Sequence, residues 1–372
     1  MSLVALFLSG TAPALAGDMV REEAGRLPGG AVIEAVTLTN DNGVSARILT
    51  YGATLQSLIA PDRNGNRADV LLGYDTAAGY VETPNYFGVT VGRYANRIAN
   101  GRFSIDGQNY QVPQNDGTNS LHGGGAGFDK QNWQISSATS GTTPSVVMTL
   151  NSPDGDSGYP GAVTATVTYT LDNQGNLAIT FTAETTKPTV INMTNHAIFN
   201  LAGEGMPGGI EGHRLTIPAA RYTPVSEILI PTGELAPVAG TPFDFRQPKY
   251  MAWGLRDGTN EQIRYGRGFD HNWALDKGLT AEPQLAARLE DPHSGRVLEV
   301  LTTEPGVQMY AGNFLDGTLV GKNGHLYRMG DGIALEPQKF PDAPNQSAFV
   351  SPRVDPGTPY RHAMIYRITT AR

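Results

Sequence analysis

The segment from Ala162 to Thr185, AVTATVTYTLDNQGNLAITFTAET, alternates apolar and polar residues on both sides of an Asp-Asn-Gln-Gly-Asn turn. A period of two puts one set of side chains on each face of an extended chain, so the two arms bury a common face only as antiparallel β-strands. The pattern recurs. FSIDGQNYQV, residues 103 to 112, sets Asp106-Gly107 between two short alternating arms, the pair favoured in two-residue hairpins. Further strands are readable across Ser45 to Ile59, Val146 to Leu150, Arg296 to Thr302 and His362 to Thr369, whereas helical windows are short, the best being Gln284 to Glu290. The 45 Gly and 25 Pro are spread without a break in composition, so neither a linker nor an internal repeat is expected. The expected fold class is all-β, a large single-domain antiparallel β-sandwich over residues 18–372.

Hydrophobic residues make up 40% of the chain and charged residues 17%, enough apolar surface for a large core. The formal net charge of −8, from 27 Lys and Arg against 35 Asp and Glu, offers no basic stripe for phosphates, so nucleic acid is not an expected partner. With no cysteine there is no disulfide framework, thiolate nucleophile or Cys-ligated zinc. VALFLSGTAPALAGD, residues 4 to 18, is a short apolar stretch ending in Ala14-Leu15-Ala16, the small-residue pattern of a signal-peptide cleavage site, though a basic n-region is missing. It is too short to span a bilayer. Residues 1–17 are therefore expected to be a leader and the protein to be periplasmic or secreted, with no membrane association once the leader is removed; a cytoplasmic protein with a poorly ordered leader is the alternative.

Several motif-like strings fail on inspection. Gly203 to Gly208 matches G-x-G-x-x-G, but no crossover helix follows and Pro207 falls inside the would-be phosphate turn. Gly317 to Lys322 is one residue short of a P-loop, and Asn323 stands where Ser or Thr is required. Asp154 to Gly158 opens like a calcium loop, but Ala165 occupies the position of the bidentate Glu. No close His pairing suggests a metal.

What remains is a set of polar residues in strings rich in Gly, Asn and aromatics: Asn96 and Arg97 in GRYANRIANGRF, His122 in NSLHGG, His196 in NMTNHAIFNL, Asp270 in GFDHNW, Gln308 in QMYAGNFLDG and Glu336 in LEPQKFPDAPNQ. That composition suits a cleft where backbone and rings approach a small polar ligand. Taken singly, His122 would be a turn residue, His196 a hydrogen-bonded core histidine and Arg97 a surface charge. Glu336 follows apolar Gly332 to Leu335 and is expected to point from a strand end into a partly desolvated place, where a carboxylate gains base strength. Asp270 and His271 are strand neighbours, so only one enters a given cleft. Trp133 and Trp273 either stack on a ligand or fill the core. His213, His293, His325 and His362 read as structural or exposed. One carboxylate with two imidazoles suggests proton transfer, while Glu336 with Asp270 formally leaves glycoside hydrolysis open.

In order and context these strings resemble the aldose 1-epimerase (galactose mutarotase) family from about Thr37 to about Thr370. The family's His-Ser-Tyr-Phe-Asn-Leu stands here as His196-Ala197-Ile198-Phe199-Asn200-Leu201, and its Leu-Glu-Thr-Gln as Leu335-Glu336-Pro337-Gln338. These changes bear on the cleft lining, hence on sugar preference. The resemblance implies a galactose mutarotase-like supersandwich with a monosaccharide substrate, no cofactor and no metal. It implies that Glu336 takes the C1 hydroxyl proton while His196 protonates the ring oxygen. His122, the third member of the catalytic set, and Arg97 would bond the ring oxygen or nearby hydroxyls. Asp270, chosen over His271, and Gln308 would hold remote hydroxyls, with Asn96 orienting its neighbour. Reference pKa values of about 4.3 for Glu and about 6.5 for His suit these roles if a nearby carboxylate helps the imidazole keep a proton. His196 is preferred to His122 as the acid because Thr194 and Asn195 can fix its ring. The assembly is expected to be a monomer or homodimer. Two other readings stand beside this one: a hexose-phosphate 1-epimerase, needing a basic cluster from Arg93 and Arg102, and a non-catalytic sugar-binding module on the same fold.

Overall fold

The computed structural model describes residues 17–371, so the cleavage-site pattern at Ala14 to Ala16 lies outside the described residues. Antiparallel strands dominate. A nine-stranded sheet carries the long alternating segments: Val163–Leu171 pairs with Asn176–Thr185, which pairs in turn with the C-terminal strand Tyr360–Thr370. Along Val163–Leu171 every second residue is buried, as its period requires. A six-stranded sheet, built around Ile333–Gln338, Gly306–Tyr310 and Asp270–Ala274, packs against it, and a five-stranded sheet from Asp18–Arg26 to Arg67–Asp69 completes the body. One hydrophobic cluster draws on all three, with Val167 and Phe181 from the first, Trp273, Met309 and Leu335 from the second, and Leu38, Ile48 and Leu58 from the third. Both Trp133 and Trp273 lie in this core rather than in a cleft. No helix among the described residues is long and apolar enough to cross a membrane.

Two local readings are corrected. Gln284–Glu290 is a strand, not a helix, held between Arg296–Thr302 and Arg214–Thr216. Its Ala-Ala-Arg-Leu composition favours helix locally, but pairing on both edges wins, and a bulge at Ala286 buries both alanines. Ser45 to Ile59 is a hairpin, Ser45–Leu49 and Thr54–Pro61, turned at Gly52 with φ +67°. The Asp106-Gly107 hairpin forms as expected, with φ of 51° and 79° at its two turn residues. The rejected strings also behave as read: Gly203 to Gly208 is loop, and Asp154 to Gly158 is a turn.

Parity in the six-stranded sheet decides what reaches the site. Asn272 lies opposite Gln308 and Gln308 opposite Glu336; in the next row Asp270 lies opposite Tyr310, and Tyr310 opposite Ala334. Side chains opposite one another share a face. The even-numbered residues therefore form one polar face, while Val307, Met309, Ile333 and Leu335 turn into the core.

Candidate active site

Four strand pairings gather the polar strings. Ile198 pairs with Ala334, so two residues back along one strand and two forward along the other His196 is brought opposite Glu336. His196 is also tied into the neighbouring segment, its N–H donating to Val89 and its carbonyl accepting from Gly88. Arg97–Ile98 pairs with Ser120–Leu121, which sets Asn96 beside His122. These two residues have φ of 63° and 52° and are joined twice: the His122 N–H donates to the Asn96 carbonyl at 3.0 Å, and the Asn96 N–H donates to His122 Nδ1 at 3.2 Å. The glycine after His122 is required by contact, since a Cβ on Gly123 would stand 2.0 Å from the Gly92 carbonyl oxygen.

The outcome is a cleft of about 290 Å³ lined by Asn96, Arg97, His122, His196, Asp270 and Glu336, together with Tyr86, Asp116, Tyr310 and Phe314. Glu336 lies within Ile333–Gln338 rather than at its end and is only 1% exposed, so the expected partial desolvation is nearly complete. Its Oε1 is 3.6 Å from His196 Nε2. Arg97 is spanned by two carboxylates, its Nε donating to Asp116 at 2.7 Å and its Nη1 lying 3.8 Å from Asp270. Gln308 sits behind the lining and donates to Asp270 Oδ1 at 2.6 Å, while Asn96 Oδ1 accepts from the Arg97 N–H. The neighbouring His271 turns away against Phe243.

Burial governs the electrostatics. It pushes Glu336 well above the ordinary carboxylate range, with Asp270 adding to the rise and Arg97 opposing it. It lowers His196 to about 4, so this imidazole does not by itself hold a proton near neutrality as expected from its reference value. Burial also holds His122 well below its ordinary value, assisted by the charges of His196 and Arg97. Glu336, with its raised pKa, and His196, with its lowered one, stand 3.6 Å apart, close enough for a proton on one to pass to the other. That proton has two homes: carboxylate with imidazolium, or carboxylic acid with imidazole.

The rings are held differently than Thr194 and Asn195 suggested. The Asn195 amide donates to the Gly88 carbonyl and the Tyr169 hydroxyl, and His196 Nδ1 has no hydrogen-bond partner among the described residues. Packing fixes His196 instead, with ring centroids of Tyr86, His122 and Tyr310 at 5.8, 5.2 and 6.1 Å. His122 is fixed by chemistry. Its Nδ1 accepts a backbone N–H, so in the neutral ring the proton resides on Nε2, which can only donate. Ligand atoms of His122, His196 and Glu336 lie within 4.8 Å of one another, an arrangement that could hold a divalent metal. A ring bound to metal through Nε2 needs its proton on Nδ1, however, and the Asn96 N–H occupies that side. The set fits proton transfer better than metal ligation.

Tyr86, Asp116 and Tyr310 were not foreseen. Tyr310 was within reach, because it shares the face of Gln308 two residues earlier. Tyr86, its ring tilted against His122 at a centroid distance of 4.5 Å, and Asp116 come from loops whose sequence carries no such signal.

Residues 34–367 match the family described as aldose 1-epimerase. Galactose mutarotase of Mus musculus is 46% identical over 355 residues, covering 95% of this chain and 99% of its own length. Aldose 1-epimerase of Escherichia coli K12 is 37% identical over 351 residues, covering 94% and 99%. The solved structure of galactose 1-epimerase from Lactobacillus acidophilus NCFM, 29% identical, superposes with a TM-score of 0.84 over 96% of this chain and all of that one. A match spanning most of the sequence, relatives at 37% and 46% identity over nearly their whole lengths and the same sandwich in a solved neighbour agree: this chain belongs to the aldose 1-epimerase family.

Proposed function

We propose that the protein interconverts the α and β anomers of free aldohexoses, galactose and glucose foremost, with Glu336 as general base and His196 as general acid. The observation that carries this reading is the 3.6 Å approach of a buried carboxylate to a buried imidazole on the floor of the cleft. Mutarotation needs both: a base for the hydroxyl on C1 and an acid for the ring oxygen. In the charged form of the pair, Glu336 takes the hydroxyl proton, the oxygen's electrons form C1=O, the C1–O5 bond breaks, and O5 takes the proton of His196. The pair is now carboxylic acid and imidazole. Rotation about C1–C2 and the reverse transfers close the other anomer and restore the first form. No proton enters or leaves, so the two tautomers of the pair correspond to closed and open sugar. Burial favours the uncharged tautomer and so helps the ring open, while the polar hydroxyls of bound sugar support the charged one.

The remaining residues place the sugar. His122 donates from Nε2 to the ring oxygen or a neighbouring hydroxyl. Arg97 and Asp270 hold remote hydroxyls, and Gln308 and Asn96 orient Asp270 and Arg97 respectively. Polarimetry of freshly dissolved α-galactose and α-glucose tests the reading: rotation should reach equilibrium faster in proportion to enzyme, and no acceleration with either sugar would end it.

A hexose phosphate fits poorly. Arg93 is buried with its guanidinium spent on the carbonyls of Ser152, Pro153, Pro160 and Gly161, and Arg102 donates to Gln111; neither lines the cleft. The cleft's own cation, Arg97, already faces two carboxylates, which would repel a phosphate dianion. Glucose should therefore be turned over far faster than glucose 6-phosphate. A non-catalytic sugar-binding module has no use for both proton-transfer groups. Sugar binding by calorimetry with no turnover would be its signature.

A further inference from the structure

Behind Glu336 the polar face of the sheet continues into the protein. Asn272 lies opposite Gln308 in the row that ends on Glu336, and Gln338 follows Glu336 by two residues on the same face. Asn272 is 1% exposed and Gln338 fully buried. Both polar atoms of each amide, the outer Oε1 of Gln308 and Oε2 of Glu336 have no hydrogen-bond partner among the described residues. Unpaired buried amides are costly, and two in adjacent rows of one sheet face call for a common explanation.

Gly306, the residue opposite Gln338, is held to glycine by close contact. Its φ is not in the left-handed region, so the backbone does not demand glycine there. A Cβ would instead stand 2.5 Å from Asn272 Oδ1 and 2.8 Å from the Phe340 ring. The unpaired amides and the shielded carboxylate oxygen on one sheet face supply the polar partners that internal water takes. We infer that Asn272 and Gln338 are positioning residues that hold internal water against the shielded oxygen of Glu336.

The inference rests on Glu336 being the base. Oε1 faces His196 and the sugar, so the charge of the carboxylate is supported from the protein side only through Oε2. The other groups around it are Asp270, which disfavours that charge, Arg97, which favours it, and the hydroxyls of Tyr310 and Tyr366. Water donating to Oε2 stabilises carboxylate with imidazolium relative to the uncharged tautomer. Without it the pair holds its last proton more tightly and spends less time in the form that begins the reaction.

The test combines diffraction and kinetics. Well-resolved crystals of the wild-type protein should show ordered water bonded to Asn272 and Gln338; a dry site with the two amides bonded to each other overturns the inference, whatever the enzyme's activity. In kinetics, Gln338→Met and Asn272→Leu keep bulk and remove the amide. Gly306→Ala keeps both amides but drives Asn272 Oδ1 and the Phe340 ring out of their places. Each should move the alkaline limb of the kcat profile up by about one pH unit and lower the plateau about tenfold, with KM little changed. A purely structural role would lower Tm and leave the limb in place. If the polar variants fail to fold, Gly306→Ala carries the test, and a folded Gly306→Ala with an unmoved limb overturns the inference. An inactive wild-type enzyme would instead refute the mutarotase reading and leave diffraction to decide the water site.

Discussion

Replacing Glu336 by Gln keeps the side chain's shape and deletes the proposed base. Base catalysis by a positioned group typically contributes about 10² to 10⁴ in rate, or roughly 3 to 5 kcal/mol of barrier. The structure places this case in the upper part of that range. With 1% exposure bulk water cannot substitute, and the nearest other carboxylate, Asp270, is engaged by Gln308 and Arg97. A fall in kcat of about 10³ or more, with KM within a few-fold, is the expected result from initial-rate polarimetry. The same substitution reports on burial. Folding raises the Glu336 pKa above its unfolded value near about 4.3, so its contribution to stability is fully present below that pH and is lost as pH rises. Glu336→Gln should therefore melt at or above the wild-type temperature, by a margin that grows from pH 4 to pH 8. A variant within tenfold of wild type would reassign the base, and one less stable than wild type at pH 8 would refute the buried-carboxylate argument.

Three further outcomes are expected. His196→Asn should lower kcat far more than it raises KM, because its proton moves only in the transition state, whereas His122→Asn should weaken both binding and rate; if His122→Asn damages kcat more, the two roles are exchanged. Dialysis against EDTA should leave activity intact, and loss restored by a divalent ion would show that the set His122, His196 and Glu336 binds metal after all. Stability should fall as pH drops from about 6.5 toward 4: burial holds His213 at about 4, against an unfolded value near 6.5, so the folded state prefers the neutral ring, on the order of 3 kcal/mol at full effect. His213→Gln, whose carbonyl can accept the Leu201 N–H now bonded to Nε2, should flatten that fall, and an unchanged slope in chemical denaturation would contradict it.

Much of this was legible in the sequence wherever period decides geometry. The alternation from Ala162 to Thr185 forms the strands it should, and strand parity separates Asp270 in the cleft from His271 in the core. Legibility ended where tertiary contacts override local preference or loops close up. Gln284–Glu290 looked helical because its partners, Arg214–Thr216 and Arg296–Thr302, are distant in one direction and invisible to local propensity in both. The tautomer of His122 depends on a backbone N–H of Asn96, twenty-six residues away, and no side-chain pattern encodes it. Burial was underestimated for the same reason: an apolar run before Glu336 suggests shelter, but only the sheet stacked around it shows how fully His196 and Glu336 are buried and that they lie 3.6 Å apart.

The most direct measurement is exchange NMR on galactose labelled with ¹³C at C1, run in D₂O with the purified protein. Cross-peaks between the α and β anomeric carbons should grow with enzyme concentration and vanish with Glu336→Gln, while the hydrogens on C1 and C2 are retained, because only oxygen-bound protons move. Absence of enzyme-dependent exchange, or deuterium appearing at C2, would contradict ring opening by the Glu336–His196 pair.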